Sequence, residues 1–552
     1  MIIATPERIE EYMKAGVWGE KTLIDAFKAH AGQMPATVAF IDPLNKMDLI
    51  GREPARITYA DFDRAVDATA TALRREGIGK DDIVVVQLPN CWELAMLYLA
   101  IARAGGVISP LPMQWRENEI GYVCELTKAR AIITVEDFHG FSHVEMARSL
   151  AGKSHSLEKV FTYGDLVQMT SVDPDPELDG IPVDANDIFT ICWTSGTEAQ
   201  PKGCPLSHNN WFCQSSLAHA GGVVPGDIML TAGPLVNMAS VGTVYVPWLI
   251  YGGTVVLHHP FDPALLLKQM VMEKINYTLL VPAVVNLILK HPLAEGVDLS
   301  SIRSITVGSA PPSLWAMEEF KKRWDIDIGN IWGQNEGTAI ISGVKDVPDM
   351  KLRVDSLPRY GAPGVTWSVD IARHIQTKIV NPDGNALDED GAVGELLYRG
   401  PNVMPGYFRR ADLNEKSFDA EGYIRTGDVF QIVGDRYIRF FERAKDIIIR
   451  GGNNISAQEI ENLLLAHPKV QDIAAVGMPD ENLGERTFVF LVPVQGETVT
   501  LEDLTGFMKE KGVAIYKHPE GMEIVEALPR NPVGKLLKKD LRKDLQERIR
   551  NK

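Results

Sequence analysis

One stretch limits the choice of fold more than any other: residues 193–203, with the sequence WTSGTEAQPKG, which follow an apolar run from Ile188 to Cys192. The apolar run predicts a buried strand. The stretch after it combines two glycines, three hydroxyl side chains and Lys202, so backbone N–H groups and side chains can surround an anion. Ser207 is a candidate N-cap for a following helix. The sequence therefore predicts a phosphate-binding loop that joins a strand to a helix.

This loop has two other interpretations. The Walker pattern GxxxxGK[ST] of P-loop NTPases does not fit, because Lys202 stands between Pro201 and Gly203. A solvated surface loop rich in Ser, Thr and Gly is the ordinary interpretation of a looser match. We predict a triphosphate site. The residues expected to hold the phosphates are Thr194, Ser195, Gly196, Thr197 and Lys202.

Strand and helix patterns alternate on both sides of the loop. A helix pattern from residue 57 ends at Gly77, and further alternating patterns follow it. They cover residues 83–88, 92–104, 107–111, 131–135, 253–257, 263–273 and 277–281. Such alternation predicts an α/β fold with parallel sheets, arranged as two similar layered βαβ units.

The pattern changes beyond Val380. Short strand patterns separated by the turn sequences NPDG at 381–384 and EDG at 389–391 predict a small β subdomain at about residues 366–444. A new series of strand, glycine-rich loop and helix starts near Lys445. We therefore expect an N-terminal domain of residues 1–444, which includes the β subdomain, and a small C-terminal α+β domain of residues 445–552.

Composition excludes several classes of protein. The 552 residues are 45% hydrophobic and 23% charged, and no apolar stretch reaches the roughly 18 residues that span a bilayer. The N-terminus lacks a secretory signal, which predicts a cytoplasmic protein without integral membrane association. A net charge of -17 argues against nucleic-acid binding. The five cysteines have neither disulfide nor zinc spacing.

Further stretches carry candidate functional residues. They are GSAP at 308–311, IWGQNEG at 331–337, TGD at 426–428, Arg443 with Lys445, GGN at 451–453, and NPVGK at 531–535. Taken singly, each is more often a turn or a solvated charge.

In this order, and over about residues 57–540, the stretches resemble the signatures of the acyl-adenylate-forming superfamily. That superfamily includes acyl-CoA synthetases, nonribosomal peptide synthetase adenylation domains and firefly luciferase. The resemblance implies an adenylate-forming enzyme fold whose small C-terminal domain is mobile. Gly16-Val17-Trp18 and Thr22-Leu23 are also similar to cyclohexanecarboxylate-CoA ligases.

The resemblance implies a role for each stretch. Lys202, Glu336 and Lys535 are the expected catalytic residues, with Glu336 as the Mg²⁺ ligand. Asn335 stands where the family has threonine. ATP and AMP are expected to contact Gly308, Ser309, Ala310, Pro311, Trp332, Gly333, Gln334, Asn335, Asp428 and Arg443 in addition to the loop. Lys445 is the expected hinge, and the expected CoA-binding residues are Gly451, Gly452 and Asn453.

The acyl pocket is expected within PLVNMAS at 234–240, at Asn237, Met238 and Ser240. Relatives that adenylate amino acids keep an aspartate in this region, whereas Asn237 is neutral, so a free α-amino acid is disfavoured. The chain ends 17 residues after Lys535, which leaves no room for a fused carrier domain and favours a diffusible thiol such as CoA.

The sequence thus predicts an ATP-dependent acyl-CoA ligase. Its partners are expected to be a small apolar-tailed monocarboxylate, ATP, Mg²⁺ and CoA. Two rival hypotheses are a stand-alone adenylating enzyme that loads a carrier protein and a noncatalytic nucleotide-binding homologue. The presence of Lys535 argues against the second rival. The oligomeric state stays open, with a homodimer among the options.

Overall fold

The structure is a computed structural model. It describes residues 1–194, 200–290, 294, 296–443, 446–450, 453–480, 483–511, 513–530 and 536–550. The chain forms two compact units. The first unit is Met1–Gln376 with Tyr398–Tyr423, and the second is Thr377–Leu397 with Ile424–Lys552. The predicted mixed α/β fold with a large and a small unit is confirmed.

The first unit contains two large sheets. The strands of this unit are β1 Val38–Ile41, β2 Arg56–Thr58, β3 Ile83–Gln87, β4 Val107–Pro110, β5 Ala131–Thr134, β6 Asp137–Phe138, β7 Phe141–Ser142, β8 Lys159–Thr162, β9 Ile188–Thr194, β10 Lys202–Ser207, β11 Ile228–Thr231, β12 Thr254–Leu257, β13 Tyr277–Leu280, β14 Ser304–Val307, β15 Asp327–Gly333, β16 Ala339–Ser342 and β17 Ser356–Pro358. One sheet has the order β16-β15-β14-β13-β11-β12-β1-β2 and the other has the order β10-β9-β4-β3-β5-β8.

Helices cover these sheets. They are α1 Pro6–Lys14, α2 Leu23–Gln33, α3 Lys46–Ile50, α4 Tyr59–Arg75, α5 Trp92–Arg103, α6 Glu117–Thr127, α7 His143–Lys153, α8 Tyr163–Met169, α9 His208–Ala218, α10 Met238–Ser240, α11 Val246–Tyr251, α12 Pro263–Met272, α13 Pro282–Lys290, α14 Leu314–Trp324, α15 Met350–Arg353 and α16 Ala411–Ser417. Among the described residues, no helix is long and apolar enough to cross a membrane.

The predicted alternation is confirmed in both sheets. The helix pattern that ends at Gly77 is α4, and the Thr58 side chain caps it by accepting from Asp61 N. Strands β3, β4, β5, β8 and β9 pair in parallel, as do β11 to β15 with one another. Each sheet also has antiparallel edges, at β9 with β10, β15 with β16, and β1 with β2.

One local prediction is wrong. The sequence predicts that the phosphate loop joins a strand to a helix, but strand β10 comes before the helix and pairs antiparallel with β9. The predicted N-cap of α9 is nevertheless confirmed, because the Ser207 side chain accepts from Asn210 N. Gly and Pro are poor strand residues, so Gly203 and Pro205 make a strand at β10 hard to predict from the sequence. They are tolerated there because β10 lies at the edge of its sheet.

The second unit is built from two groups of strands and three helices among its described residues. The strands are β18 Gln376–Val380, β19 Ala386–Leu387, β20 Val393–Arg399, β21 Ile424–Val433, β22 Tyr437–Arg443, β23 Ile448–Arg450, β24 Asn453–Ile455, β25 Val470–Asp480, β26 Gly484–Pro493 and β27 Gly521–Ile524. The helices are α17 Ala457–Leu464, α18 Leu501–Glu510 and α19 Lys538–Arg550. Strands β22, β21, β20, β18 and β19 are neighbours in that order, and β24, β23, β26 and β25 form a second series.

The predicted domain boundary at Lys445 lies outside the described residues. The two compact units exchange chain segments near residues 376, 398 and 423. Because Lys445 is outside the described residues, the division into residues 1–444 and 445–552, with a β subdomain at about 366–444, stays a prediction.

Candidate active site

The predicted phosphate loop connects two paired strands of the first unit. Thr194, the last residue of β9, and Lys202, the first residue of β10, lie opposite each other in the antiparallel register. The Thr194 hydroxyl is buried and has no hydrogen-bond partner among the described residues. A buried hydroxyl without a partner costs free energy, so this atom is suited to bind a ligand oxygen at the base of the loop.

Lys202, Tyr407 and Glu336 lie together beside this hairpin. The Lys202 ammonium is 5.2 Å from the centre of the Tyr407 ring. The Tyr407 hydroxyl donates to Glu336 Oε1 at 2.8 Å. Tyr407 is 6% exposed and Glu336 is 9% exposed, so both side chains are shielded from water. The structure thus brings together the cation and the carboxylate that the sequence predicts, with one tyrosine side chain in contact with both.

Backbone contacts hold this arrangement from two sides. Phe408 N donates to Gly203 O on β10, and Met404 N donates to Glu336 O, each at 2.9 Å.

Cys204 is buried close to the charges of Lys202 and Glu336. Burial raises the pKa of its thiol well above the ordinary value, and the nearby Glu336 carboxylate raises it further. Cys204 is therefore a neutral wall residue.

Glu336 belongs to a tight turn between β15 and β16. Gln334 N donates to Thr338 O, and Gly337 has a φ of 92°. A Cβ on Gly337 would lie 2.2 Å from Asn402 O, so only glycine fits this position. Trp332 and Gly333 form the end of β15, where they pair with Ile340 and Ala339. The predicted adenine-contacting residues thus precede the turn that presents Glu336.

Asn335 uses both ends of its amide on backbone groups. Its Nδ2 donates to Trp193 O at 2.8 Å, and its Oδ1 accepts from Met238 N at 2.8 Å. It therefore ties the end of β9, where the phosphate loop begins, to the start of α10. This is a different use from the nucleotide contact that the resemblance implies, and that contact stays a prediction.

The turn at Gly308–Pro311 follows β14. Gly308 packs so closely on β15 that a Cβ there would lie 2.9 Å from Ile331 Cγ2. Ser309 has a φ of 72°, in the left-handed region. These residues lie at the carboxyl end of a parallel strand, as Trp332 does, and this is the edge of an α/β sheet where ligands bind. The structure places the start of this predicted stretch beside β15, the strand that leads into the turn of Glu336.

The predicted acyl-pocket residues form the start of a short helix. Asn237 caps α10, with its Oδ1 accepting from Ser240 N at 3.4 Å. Met238 and Ser240 are buried, and a π-helical turn at Val241–Tyr245 follows them. Such turns are frequent at functional sites. Through Asn335, the backbone of Met238 is linked to the end of β9.

Two predicted ribose contacts are opposite each other in the second unit. Asp428 on β21 is the cross-strand partner of Arg443 on β22. Asp428 is buried, and its backbone N–H donates to the Thr426 hydroxyl. Asn453 is the first residue of β24 and pairs with Arg450. The remaining predicted residues lie outside the described ones: Ser195, Gly196, Thr197, Lys445, Gly451, Gly452 and Lys535.

Sequence reasoning missed Tyr407. It lies about 70 residues beyond Glu336 and about 200 beyond Lys202, in the stretch PNVMPGYF at 401–408. Its one local signal is Gly406, where a Cβ would lie 2.7 Å from Asn414 Nδ2. Asn414 Oδ1 in turn accepts from Tyr407 N at 2.7 Å. A single glycine before a tyrosine is too common to indicate a site.

The residues present fit a divalent cation of the magnesium type. Mg²⁺ prefers hard oxygen ligands, usually one or two carboxylates together with substrate phosphate oxygens and water. Glu336 supplies a shielded carboxylate that accepts from the Tyr407 hydroxyl, and Lys202 lies against the ring of the same tyrosine. One protein carboxylate is enough where the nucleotide brings the other ligands.

Comparison with known proteins gives the class. The model of the AMP-binding enzyme family matches residues 27–408, and the model of the AMP-binding enzyme C-terminal domain matches residues 459–535. The chain therefore belongs to the AMP-binding enzymes, the adenylate-forming superfamily.

Individual relatives cover nearly the whole chain. A medium-chain fatty-acid–CoA ligase of Escherichia coli (strain K12) is 31% identical, over 98% of this chain and 94% of that enzyme. A 2,3-dihydroxybenzoate-AMP ligase of Bacillus subtilis (strain 168) is 30% identical, over 98% of this chain and 97% of that enzyme. The solved structure of ATP-bound MatB from Rhodopseudomonas palustris matches with a TM-score of 0.81 at 23% identity, over 96% and 99% of the two chains. That last similarity confirms the fold.

Proposed function

We propose that this protein is an ATP-dependent acyl-CoA ligase that acts on an apolar-tailed monocarboxylate. The observation that carries the proposal is the cluster of Lys202, Tyr407 and Glu336 beside the loop that begins at Thr194. A cation and a shielded carboxylate in contact with one tyrosine side chain suit a metal-bound polyphosphate better than they suit a neutral ligand.

The first half-reaction activates the acid. A carboxylate oxygen of the substrate attacks the α-phosphorus of ATP, and the bond from that phosphorus to pyrophosphate breaks. Lys202 and the Thr194 hydroxyl hold the β and γ phosphates, and Lys535 stabilises the charge that builds at the α-phosphate. Glu336 is the proposed ligand of Mg²⁺, which when bound neutralises the charge of the leaving pyrophosphate.

The second half-reaction makes the thioester. The CoA sulfur attacks the acyl carbon of the adenylate, its proton passes to solvent, and the bond to AMP breaks. The two half-reactions need different groups at the same carbonyl. We therefore keep Lys445 as the proposed hinge between residues 1–444 and 445–552, with Gly451, Gly452 and Asn453 on the proposed path of CoA.

The acyl group is proposed to be uncharged. Asn237 is neutral, and its amide oxygen is already used to cap α10. Met238 beside it is buried and apolar. A substrate ammonium would find no carboxylate at these positions, and an unpaired buried charge is costly. An apolar tail avoids that cost.

A second candidate function is adenylation for a carrier protein. It is favoured by the relative named as a 2,3-dihydroxybenzoate-AMP ligase, whose named product is an adenylate rather than a thioester of CoA. The two candidates share the first half-reaction and differ in the thiol that ends it.

A carboxylic-acid panel tests the proposal. Pyrophosphate release is measured with ATP, Mg²⁺ and each of a series of fatty, alicyclic and aromatic acids, and AMP and thioester formation are then measured with and without free CoA. We expect an apolar acid to give pyrophosphate and stoichiometric acyl-CoA. Adenylate that forms but stays unconverted by CoA would support the carrier-protein function instead. No ATP-dependent release with any acid would contradict both.

A further inference from the structure

A second property of the site concerns the spacing of its charges. Lys202 and Glu336 have opposite charges and contact the same tyrosine, yet the Lys202 ammonium lies against the ring of Tyr407. Among the described residues, no carboxylate lies within ion-pair distance of Lys202. We propose that Tyr407 is a positioning residue that keeps Lys202 and Glu336 from pairing with each other, so that metal-bound ATP need not break an ion pair between them. The inference rests on the proposed function, since it takes these residues as the phosphate and metal contacts.

The position of Tyr407 is fixed by its neighbours. Its backbone N–H donates to Asn414 Oδ1 at 2.7 Å, and Asn414 Nδ2 returns a hydrogen bond to Tyr407 O at 3.3 Å. The next residue, Phe408, is bonded to Gly203, which directly follows Lys202. The same segment is bonded at Met404 to the backbone of Glu336. The segment that carries the Tyr407 ring is thus hydrogen-bonded both to the strand of Lys202 and to the turn of Glu336.

The ring and the hydroxyl have separate tasks. The ring face attracts the ammonium, which gives Lys202 a neutral partner that phosphate can displace at low cost. The hydroxyl donates to Glu336 Oε1 and so fixes the rotation of the carboxylate. Without the ring, the lysine would pair directly with the glutamate, and ATP would have to break that ion pair before it could bind.

The same chain shows this alternative arrangement elsewhere. Lys46 bonds directly to both oxygens of Glu93, at 2.8 and 2.9 Å, while Tyr163 donates to Glu93 Oε1 at 2.5 Å. There the tyrosine does not lie between the charges, and the lysine is 2% exposed and fully occupied. Tyr163→Phe is therefore a matched control, because it removes a tyrosine–glutamate hydrogen bond away from the site.

The experiment measures ATP binding by calorimetry, in EDTA and in Mg²⁺, without any acyl substrate. Tyr407→Leu removes the ring and should weaken metal-free ATP binding by about tenfold, the loss expected for one blocked charged contact. Tyr407→Phe keeps the ring, so its metal-free affinity should equal that of the parent, while the gain in affinity on adding Mg²⁺ should fall several-fold. Tyr163→Phe should match the parent in both conditions.

A double variant separates spacing from structural support. Glu336→Gln removes the charge that would capture Lys202, so Tyr407→Leu/Glu336→Gln should recover the metal-free affinity of the Glu336→Gln variant. The gain from Glu336→Gln should be larger in the Leu background than in the Tyr background. An equal gain in both backgrounds would overturn the proposal, and so would parental metal-free binding by Tyr407→Leu.

The Phe variant keeps the test decisive if the Leu variant does not fold. Two results for Tyr407→Phe would contradict the separate roles of hydroxyl and ring. One is an unchanged gain in ATP affinity on adding Mg²⁺, and the other is a metal-free ATP affinity about tenfold below that of the parent, the loss expected for Tyr407→Leu. Failure of the parent to bind ATP in any condition would instead contradict the proposed function. The two failures are therefore distinguishable.

Discussion

Two regions of this protein contain a lysine, a glutamate and a tyrosine, and they use them in opposite ways. In the buried cluster of Lys46, Glu93 and Tyr163, the ammonium bonds directly to the carboxylate and Asp42 accepts from it as well, at 2.6 Å. In the other region, Lys202 faces the ring of Tyr407, and the carboxylate of Glu336 is bonded to the tyrosine hydroxyl.

The two lysines differ because one is buried within the fold and the other lies at the edge of a sheet. Lys46 lies on the short helix α3, and its two ion-pair partners, Asp42 and Glu93, are 5% exposed or less, so its charge must be compensated within the protein. Lys202 begins an edge strand and is half-buried, so a ligand can reach it. The first cluster compensates its charges within the fold, and the second is the one that we propose binds ATP and Mg²⁺.

The largest expected effect is on the buried cluster. Lys46→Met removes the ammonium and leaves Asp42 and Glu93 facing each other without compensation. We expect the free energy of unfolding of the first unit to fall by about 3–5 kcal/mol, as when one partner of a buried pair is removed. Urea unfolding followed by tryptophan fluorescence measures it. A loss below about 1 kcal/mol would show that this cluster is as replaceable as a surface pair.

Lys202→Met is the matched change in the other region. Stability should stay within about 0.5 kcal/mol of the parent, because Lys202 forms no ion pair with any carboxylate of the described residues. Pyrophosphate release should fall on the order of 10²–10³-fold, the cost of losing one preorganised charged contact to the reacting group. Comparable loss of stability in both lysine variants would remove the distinction between the two regions.

The buried cluster also predicts a dependence of stability on pH. Burial, and next the neighbouring Glu93 carboxylate, raise the pKa of Asp42 to about 6, against the opposing effect of Lys46; Cys91 and Tyr163 are the other titratable neighbours. Because the folded pKa lies above the unfolded value, this contribution is fully present below about pH 4 and is lost as the pH rises through 6. The loss should be on the order of 1–3 kcal/mol.

The control for this dependence is Asp42→Asn, which keeps the shape and removes the titration. Subtracting its pH profile from that of the parent isolates Asp42 from other groups that titrate nearby in pH, such as Glu461, whose pKa burial raises to about 7. Parallel profiles for the two proteins between pH 4 and 7 would show that Asp42 stays ionised throughout, held by Lys46.

Some elements of the fold and of the candidate site could be predicted from the sequence, and others could not. Helix α4 could be predicted because its apolar spacing and the Thr58 cap are local signals. Strand β9 could be predicted from its apolar run, and the motif from Trp332 to Gly337 covers the end of β15 and the turn after it. Strand β10 was missed because Gly203 and Pro205 are poor strand residues, and only its place at a sheet edge makes them acceptable.

Contacts between distant segments could not be predicted. Tyr407 and Glu93 reach their partners through the packing of separate elements, and no spacing in one sequence records such a meeting. Asn335 is a third case: the nucleotide contact that the resemblance implies stays a prediction, and the structure adds hydrogen bonds of its amide to Trp193 O and Met238 N that the sequence did not indicate. Local chemistry identified the residue, and the fold decided what it touches.

The smallest expected effect concerns Asn335. It tests whether this residue supports the fold, as the Lys46 cluster does, or binds a ligand, as is proposed for Lys202. Its two hydrogen bonds make it resemble the occupied groups of the buried cluster, although it lies next to Glu336. A threonine hydroxyl is a single short group that cannot reach both backbone partners. We expect Asn335→Thr to lower the free energy of unfolding by about 1 kcal/mol, the net worth of one such hydrogen bond, and to change ATP affinity by less than about threefold.

Thermal unfolding and calorimetric ATP titration of the same preparation measure the two quantities. Asn335→Ala is the control, since it removes both hydrogen bonds and should lose about twice as much stability with ATP affinity still close to the parent value. Unchanged stability together with a tenfold loss of ATP affinity would give the opposite answer. In that case the amide would serve the nucleotide, as threonine is expected to do in the family, and Asn335 would belong with Lys202 among the groups kept available for a ligand.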